Sequence, residues 1–117
     1  MDPEELKKRT KAFALRVMNL VEELPKTTNG RAIGGQLVRS GTSVGSNYRA
    51  TCRARSHAEF VARIGIVEEE ADESAFWLEL IVDGELMPDA KVSPLLQEAN
   101  ELTAIMTASR KSVSRHR

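Results

Sequence analysis

Arg39 to Asp83 reads RSGTSVGSNYRATCRARSHAEFVARIGIVEEEADESAFWLELIVD, and this stretch decides the fold. It is too long and too periodic to be anything but two helices meeting at a short hinge. Its first half places polar residues on a core stripe: Ile33, Leu37, Ser40, Val44, Asn47 and Thr51 recur at alternating spacings of four and three. Its second half carries two adjacent stripes. Val61, Ile64, Glu68, Ala71, Ala75, Leu78 and Val82 form one, and Phe60, Val67, Glu70, Ser74, Trp77 and Ile81 form the other. Ile66, Phe76 and Leu80 belong to neither, so this helix is apolar nearly all round at its C-terminal half. The first anomaly predicts a specified polar network inside a bundle. The second predicts a folded chain that still has a face to bury.

The hinge is marked by Ser56-His57-Ala58-Glu59, a capping box that opens a helix over 56–83 and leaves Gly84 as a left-handed terminator. Upstream, Asn29 is the expected cap of a helix over 30–53. Five of the seven glycines fall between Gly30 and Gly45. Each costs about 1 kcal/mol of helix propensity, yet Gly34, Gly41 and Gly45 share one side, where they let another helix approach. A first helix over 3–24 follows from the Asp2 cap, Pro3, and the stripe Leu6, Thr10, Phe13, Val17, Leu20, Leu24, with Pro25 as its stop. A fourth over 93–112 opens at Ser93-Pro94 and carries Leu95, Ala99, Leu102, Met106, Ser109 and Val113, with fraying expected from Ser112. No segment alternates with period two long enough to be a strand. The 117 residues therefore read as one domain: an all-α, antiparallel, up-down-up-down four-helix bundle.

Composition narrows the function. Seventeen basic and seventeen acidic residues cancel, which argues against a broad polyanion-binding surface while leaving room for a local patch. One cysteine, Cys52, makes no internal disulfide. The acidic start of the chain does not resemble a signal peptide, and no apolar run approaches a membrane span, so a cytoplasmic protein is expected.

Three groups of residues carry candidate chemistry. Glu68, Glu69, Glu70, Asp72 and Glu73 sit mid-bundle, but neither His57 nor His116 follows a Glu by three, so a di-metal centre is not expected; a solvated face with one or two buried carboxylates paired with arginine is. Cys52 and His57 lack an evident third partner, and the cysteine reads as a small hydrophobe. No catalytic residue, metal or cofactor is expected. Arg49, Arg53, Arg55, His57 and Arg63 crowd the hinge beside Tyr48; the favoured expectation is that the arginines pair with acids of the third helix or of a neighbouring subunit, and the alternative is that they hold phosphate with a base stacked on the tyrosine. Arg110, Lys111, Arg115, His116 and Arg117 form a basic tail. Arg39, Ser40, Ser43 and Asn47 share a face and constitute the polar network, with Glu70 or Glu73 as partner of Arg39. Phe76, Trp77 and Leu80 are candidates for an interface with a second copy.

Ser40-x-x-Ser43-Val44-x-x-Asn47 followed by Arg55-Ser56-x-x-Glu59-Phe60 resembles the four-helix-bundle family first found encoded in intervening sequences of bacterial 23S ribosomal RNA genes. Glu70-Ala71-Asp72-Glu73-Ser74-x-Phe76-Trp77-Leu78 looks like a subgroup signature, and the likeness spans roughly residues 5–110. The resemblance implies an antiparallel bundle and a homopentameric ring around a central channel, with no enzymatic activity and no cofactor. More distantly it is similar to the accessory protein of diversity-generating retroelements, which works with a reverse transcriptase and RNA. Where many members follow the asparagine with a small residue and a glutamate, this chain has Tyr48-Arg49-Ala50. The resulting expectation is a non-catalytic oligomeric scaffold. The alternative is an RNA- or DNA-binding accessory module built on the hinge arginines.

Overall fold

The computed structural model describes residues 1–115 as four helices: α1 Pro3–Glu22, α2 Thr28–Thr51, α3 His57–Asp83 and α4 Asp89–Arg115. Consecutive helices pack side by side, and α1 meets α4 less closely, which closes an elongated bundle of 47 × 21 × 19 Å. The backbones of α1 and α3 do not approach each other closely, so these helices lie diagonally across it.

The heptad stripes of α1 and α4 are the core. Leu6, Thr10, Phe13, Val17 and Leu20 are buried from the first helix, which ends two residues short of the expected Leu24, with Leu24 buried just beyond its cap, and Leu95, Ala99, Leu102 and Met106 from the last. Helix α3 needs both of its stripes, because it packs against α2 on one flank and α4 on the other: Ile64, Ala71, Ala75 and Leu78 are buried from one, Val67, Ser74 and Ile81 from the other. Helix α2 contributes Leu37, Ser40, Val44 and Thr51, and turns its glycines toward α1. A methyl group on Gly34 would meet Val21 and Leu24, one on Gly41 would meet both Val17 methyls at 2.8 and 2.9 Å, and one on Gly45 would lie 3.5 Å from the Thr10 backbone. Packing thus overrides propensity along this helix.

The termini differ in detail from the expectation. Helix α2 is capped by the Thr27 side chain, which accepts from the Gly30 amide at 3.1 Å, so Asn29 is already inside the helix. Ser56 caps α3 as expected, accepting from the Glu59 amide at 3.1 Å, while the Glu59 carboxylate accepts from the Arg55 amide at 2.8 Å. Gly84 has φ −83° and is not the left-handed residue. That role falls to Glu85 at φ 56°, and the Leu86 and Glu85 amides donate to the Ile81 and Val82 carbonyls in a Schellman arrangement.

Helix α4 begins a turn before Ser93-Pro94, at Asp89. Burial of Met87 and Val92 against the core outweighs the helix-breaking tendency of Pro94. The carbonyl that Pro94 cannot serve belongs to exposed Ala90, where water can take its place. Helical backbone then continues to Arg115, beyond the fraying expected from Ser112. His116 and Arg117 of the basic tail lie outside the described residues.

Two glycine substitutions test the packing account with opposite signs. Gly41→Ala forces a methyl into the stiff Val17 side chain and should cost about 1–3 kcal/mol. Gly35→Ala, with nothing within 4 Å of the added methyl, should stabilise by up to about 1 kcal/mol. Chemical denaturation of both against the parent checks the order. Separately, Glu85→Gly relieves a left-handed non-glycine residue and should stabilise by about 0.5–1 kcal/mol, read as a higher Tm.

Candidate functional site

The polar residues of α2 divide into a buried part and a surface part. Ser40 and Ser74, both with no solvent exposure, bring their hydroxyls to 2.9 Å across the α2–α3 contact. Each also lies beside a carbonyl of its own helix, Leu37 for Ser40 and Glu70 for Ser74. Buried Thr10 and Thr51 likewise donate to carbonyls four residues back, at 2.7 and 2.9 Å. Each buried hydroxyl therefore has a partner. One helical turn outward, Arg39 bridges to Glu70 at 3.2 Å and to Glu73, and Glu73 also accepts from the Trp77 indole N–H at 3.0 Å. Ser43 and Asn47 do not join this cluster. They hydrogen-bond to the carbonyls of Arg39 and Ser43 on their own helix. The expected single network is thus two local arrangements, because Arg39 points to the rim of the α2–α3 seam while Ser40 points into it.

The hinge arginines separate as well. Arg63 is drawn to Glu59, with Nε donating at 3.0 Å. Hydrogen bonds from the Arg55 amide and then Arg63 hold the Glu59 carboxyl below the usual carboxylate range. Arg55 is exposed and begins the approach to α3. Arg49 and Arg53 instead turn toward α1 and share a groove of about 430 Å³ with Lys7, Lys8 and Lys11. Its floor is Ala14, Thr42, Gly45 and Ser46, and its one acid is Glu4, which pairs with Lys7 at 3.2 Å. The α1 lysines were not singled out by sequence reasoning. The hydrophobic register of α1 contained the signal, since it places Lys7 and Lys11 on the side facing away from the α4 seam.

His57 lies in a second cavity, of about 580 Å³, with Tyr48, Cys52, Phe60 and Val113. Its Nε2 is buried and has no hydrogen-bond partner among the described residues. Tyr48 is 5% exposed, so its ring is part of the core and offers no face to a base. Burial, and then its hydrogen bond with Cys52, push the Tyr48 hydroxyl pKa up. Cys52 is exposed at the C-cap of α2, where it does not act as the small core hydrophobe expected.

Four acids of α3, Glu59, Glu68, Glu70 and Glu73, are taken up in ion pairs. Glu68 accepts from Arg110 at 2.7 Å and from the Thr107 hydroxyl at 2.7 Å, tying α3 to α4. Arg110 is therefore an interhelical partner and not part of a solvated tail. On the opposite seam, Arg9 makes a bidentate pair with Glu98, both contacts at 2.7 Å, and reaches Glu101 at 2.9 Å. Lys91 adds a bridge to Glu23 at 2.7 Å. These charged clasps hold the seam where α1 and α4 pack least closely.

Of the apolar side chains outside the core, Phe76 is 51% exposed on α3, as are Leu15 (53%) and Met18 (47%) on α1. Trp77 is half-buried against the core and meets Phe76 edge to face, the ring centroids 5.1 Å apart. Leu80 is half-buried. No helix among the described residues is long and apolar enough to cross a membrane.

The family described as 23S rRNA-intervening sequence protein matches residues 4–108. The chain belongs to the 23S rRNA-intervening sequence protein family. A crystal structure of a protein of unknown function from the S23 ribosomal protein family of Bacteroides thetaiotaomicron superposes with a TM-score of 0.86 at 29% identity, covering 95% of this chain and 99% of that one. No protein of curated function matches. In this member of the 23S rRNA-intervening sequence protein family, Ser40 and Ser74 are the buried hydroxyl pair, while Glu70, Glu73 and Trp77 build the surface cluster around Arg39.

The α3–α4 clasp has a pH signature. Hydrogen bonds from Arg110 and then Thr107 hold the Glu68 carboxyl below its usual range. A carboxyl whose folded-state pKa is depressed contributes stability above its unfolded pKa and loses it as pH falls through the folded one. Glu68→Gln keeps an acceptor for Thr107 but removes the charge. The variant should be less stable at neutral pH, and should lose less stability than the parent between about pH 5 and pH 3. Denaturant unfolding at a series of pH values checks this; parallel losses in the two proteins would place the acid sensitivity elsewhere.

Proposed function

We propose that this protein is a non-catalytic scaffold that works as a homo-oligomeric ring of bundles. The observation that carries the reading is the pairing of two exposed apolar patches with opposite charge around them. Leu15 and Met18 lie on the outer face of α1, with Lys8 and Lys11 on one side along the helix and Glu22 on the other, so two cations and one acid flank the patch. Phe76 lies on the outer face of α3, beside Glu69, Asp72 and Glu79. Among the described residues, neither these lysines nor these acids form an ion pair within the chain.

The two faces point in opposite directions, since α1 and α3 are diagonal. They also lie at one height. Gly41 abuts Val17 on α1, and its neighbour Ser40 meets Ser74 on α3, so Leu15 and Phe76 bracket the same level of the bundle. A second copy is the occupant that this arrangement fits: the basic, apolar α1 face of one chain against the acidic, apolar α3 face of the next. Such a contact is head-to-tail. Matched height relates neighbours without a rise along the bundle axis, so a modest turn at each contact closes a ring where a rise would build a helical filament. Five copies is the number that the family resemblance implies. The interface residues are then Phe76 with the outer edges of Trp77 and Leu80 on one side, and Leu15 and Met18 on the other. The scaffold reading assigns no reaction to the chain, and it places the ring within the cytoplasm.

Phe76→Asp places a like charge among acids and removes the main apolar anchor of the α3 face. Light scattering should give the parent a mass about five times the 13.0 kDa chain and the variant a mass near that of one chain, with helix content unchanged. Leu15→Asp should do the same from the other side. A parent that stays at one chain mass at high concentration overturns the proposal.

A further inference from the structure

We propose that the groove between α1 and α2 binds a linear run of phosphates, the backbone of a nucleic-acid strand. Five cations, Lys7, Lys8, Lys11, Arg49 and Arg53, line it against one carboxylate, Glu4. Lys8, Lys11, Arg49 and Arg53 have no ion-pair partner among the described residues, in a chain whose other interhelical arginines, Arg9, Arg39 and Arg110, are all paired. Like charges gathered on two walls repel one another, and an anionic ligand relieves that repulsion. The cations repeat about one helical turn apart on each wall, at residues 7 and 11 and at 49 and 53, so the positive strip runs along the groove. That shape suits a chain better than a single anion.

The floor says what is not read. Ala14 and Gly45 are small, and the Thr42 and Ser46 hydroxyls already donate to carbonyls of their own helix. No aromatic ring lines the groove, and Tyr48 is buried beneath the adjacent surface. A base finds no platform to stack on and no fixed donor pattern. Recognition is therefore by phosphate charge, with little dependence on sequence or on the sugar. An apolar peptide side chain finds no pocket either, which favours a phosphodiester chain over an acidic protein segment.

The groove is complete within one chain and does not rest on the ring. Lys8 and Lys11 lie at its outer lip and border the proposed α1 contact, while Lys7, Arg49 and Arg53 stay on the α2 side.

The test is fluorescence anisotropy with a 20-nucleotide single strand of mixed sequence, as RNA and as DNA, on the full chain. Both strands should bind at low salt with similar affinity. Three to five phosphate contacts should weaken binding roughly 20- to 130-fold between about 50 and 200 mM salt. Arg49→Gln with Arg53→Gln should weaken it roughly 10-fold or more at low salt, whereas Lys26→Glu, at the far end of the bundle, should not. Circular dichroism and light scattering on the same variants show that fold and mass are kept; Lys7→Gln supplies a single-site check on the opposite wall. The monomeric Phe76→Asp variant should still bind, which separates this proposal from the ring. No binding at low salt, binding unchanged by the paired Gln substitutions, or tighter binding of inorganic polyphosphate or poly-glutamate than of either strand would each overturn the assignment.

Discussion

Helices α1 and α2 lie as close as they do because Gly34, Gly41 and Gly45 carry no side chain, and the rest of the molecule depends on that approach. Val17 fills the space that a methyl on Gly41 would need, and the Thr10 backbone sits over Gly45. The contact fixes the height of α1 against α2. Ser40 and Ser74 then fix the height of α2 against α3 through a buried hydroxyl pair that a one-residue slip would break. Height is therefore relayed across the bundle by small residues, not by large ones. Large apolar residues fill volume and tolerate sliding; small residues and paired hydroxyls do not. The helix-propensity cost of the glycines is offset by packing at the three that face α1, while Gly35, facing open solvent, brings no such return.

Much of this was legible in the residues. The stripes of α1, α3 and α4 follow heptad spacing, and burial tracks them closely, because an apolar stripe has only one place to go. The small side of α2 was legible for the same reason. What could not be read was anything set by an end or by a neighbour distant in sequence. Thr27 takes the place of Asn29 as cap because the chain enters the helix two residues earlier, just after the loop from Pro25. Pro94 looked like a helix start, but Val92 and Met87 needed burial and pulled the preceding turn into the helix. Gly84 looked like the left-handed terminator, but the hydrogen bonds from Glu85 and Leu86 put the turn one residue later. Tyr48 looked available for stacking until the bundle closed over it. The α1 lysines became neighbours of Arg49 and Arg53 only through the glycine contact, which no local pattern of charge reveals.

Neutral composition also conceals how charge is distributed. Between Tyr48 and Arg55 there are three arginines and no acid, and Lys7, Lys8 and Lys11 stand opposite. Many of the balancing acids lie away from this groove, among them Asp72, Glu73, Glu79 and Asp83 on α3 and Glu85 just beyond it. A total of zero therefore says little about local potential, since a Debye length of about 8 Å at physiological salt screens one end of a 47 Å bundle from the other. Here a summed charge weighed against polyanion binding, while the local field near the α1–α2 groove is strongly positive.

The same separation of charge links the two proposed surfaces. Opposite signs on the outer faces of α1 and α3 disfavour two copies meeting face to identical face, because lysine would meet lysine or carboxylate would meet carboxylate. Head-to-tail contact is the self-association that this charge pattern leaves open, and in the proposed ring it would place every α1–α2 groove in the same orientation around an axis. Repetition then matters more than the strength of one groove. Three to five phosphate contacts hold a strand weakly at physiological salt. In the proposed ring, several grooves would convert each later contact into an intramolecular one, and avidity would rise without any new residue. Weak sites in a symmetric array release a strand locally while retaining it overall. That behaviour would suit the proposed scaffold, whose task would be to hold a polymer without performing chemistry on it.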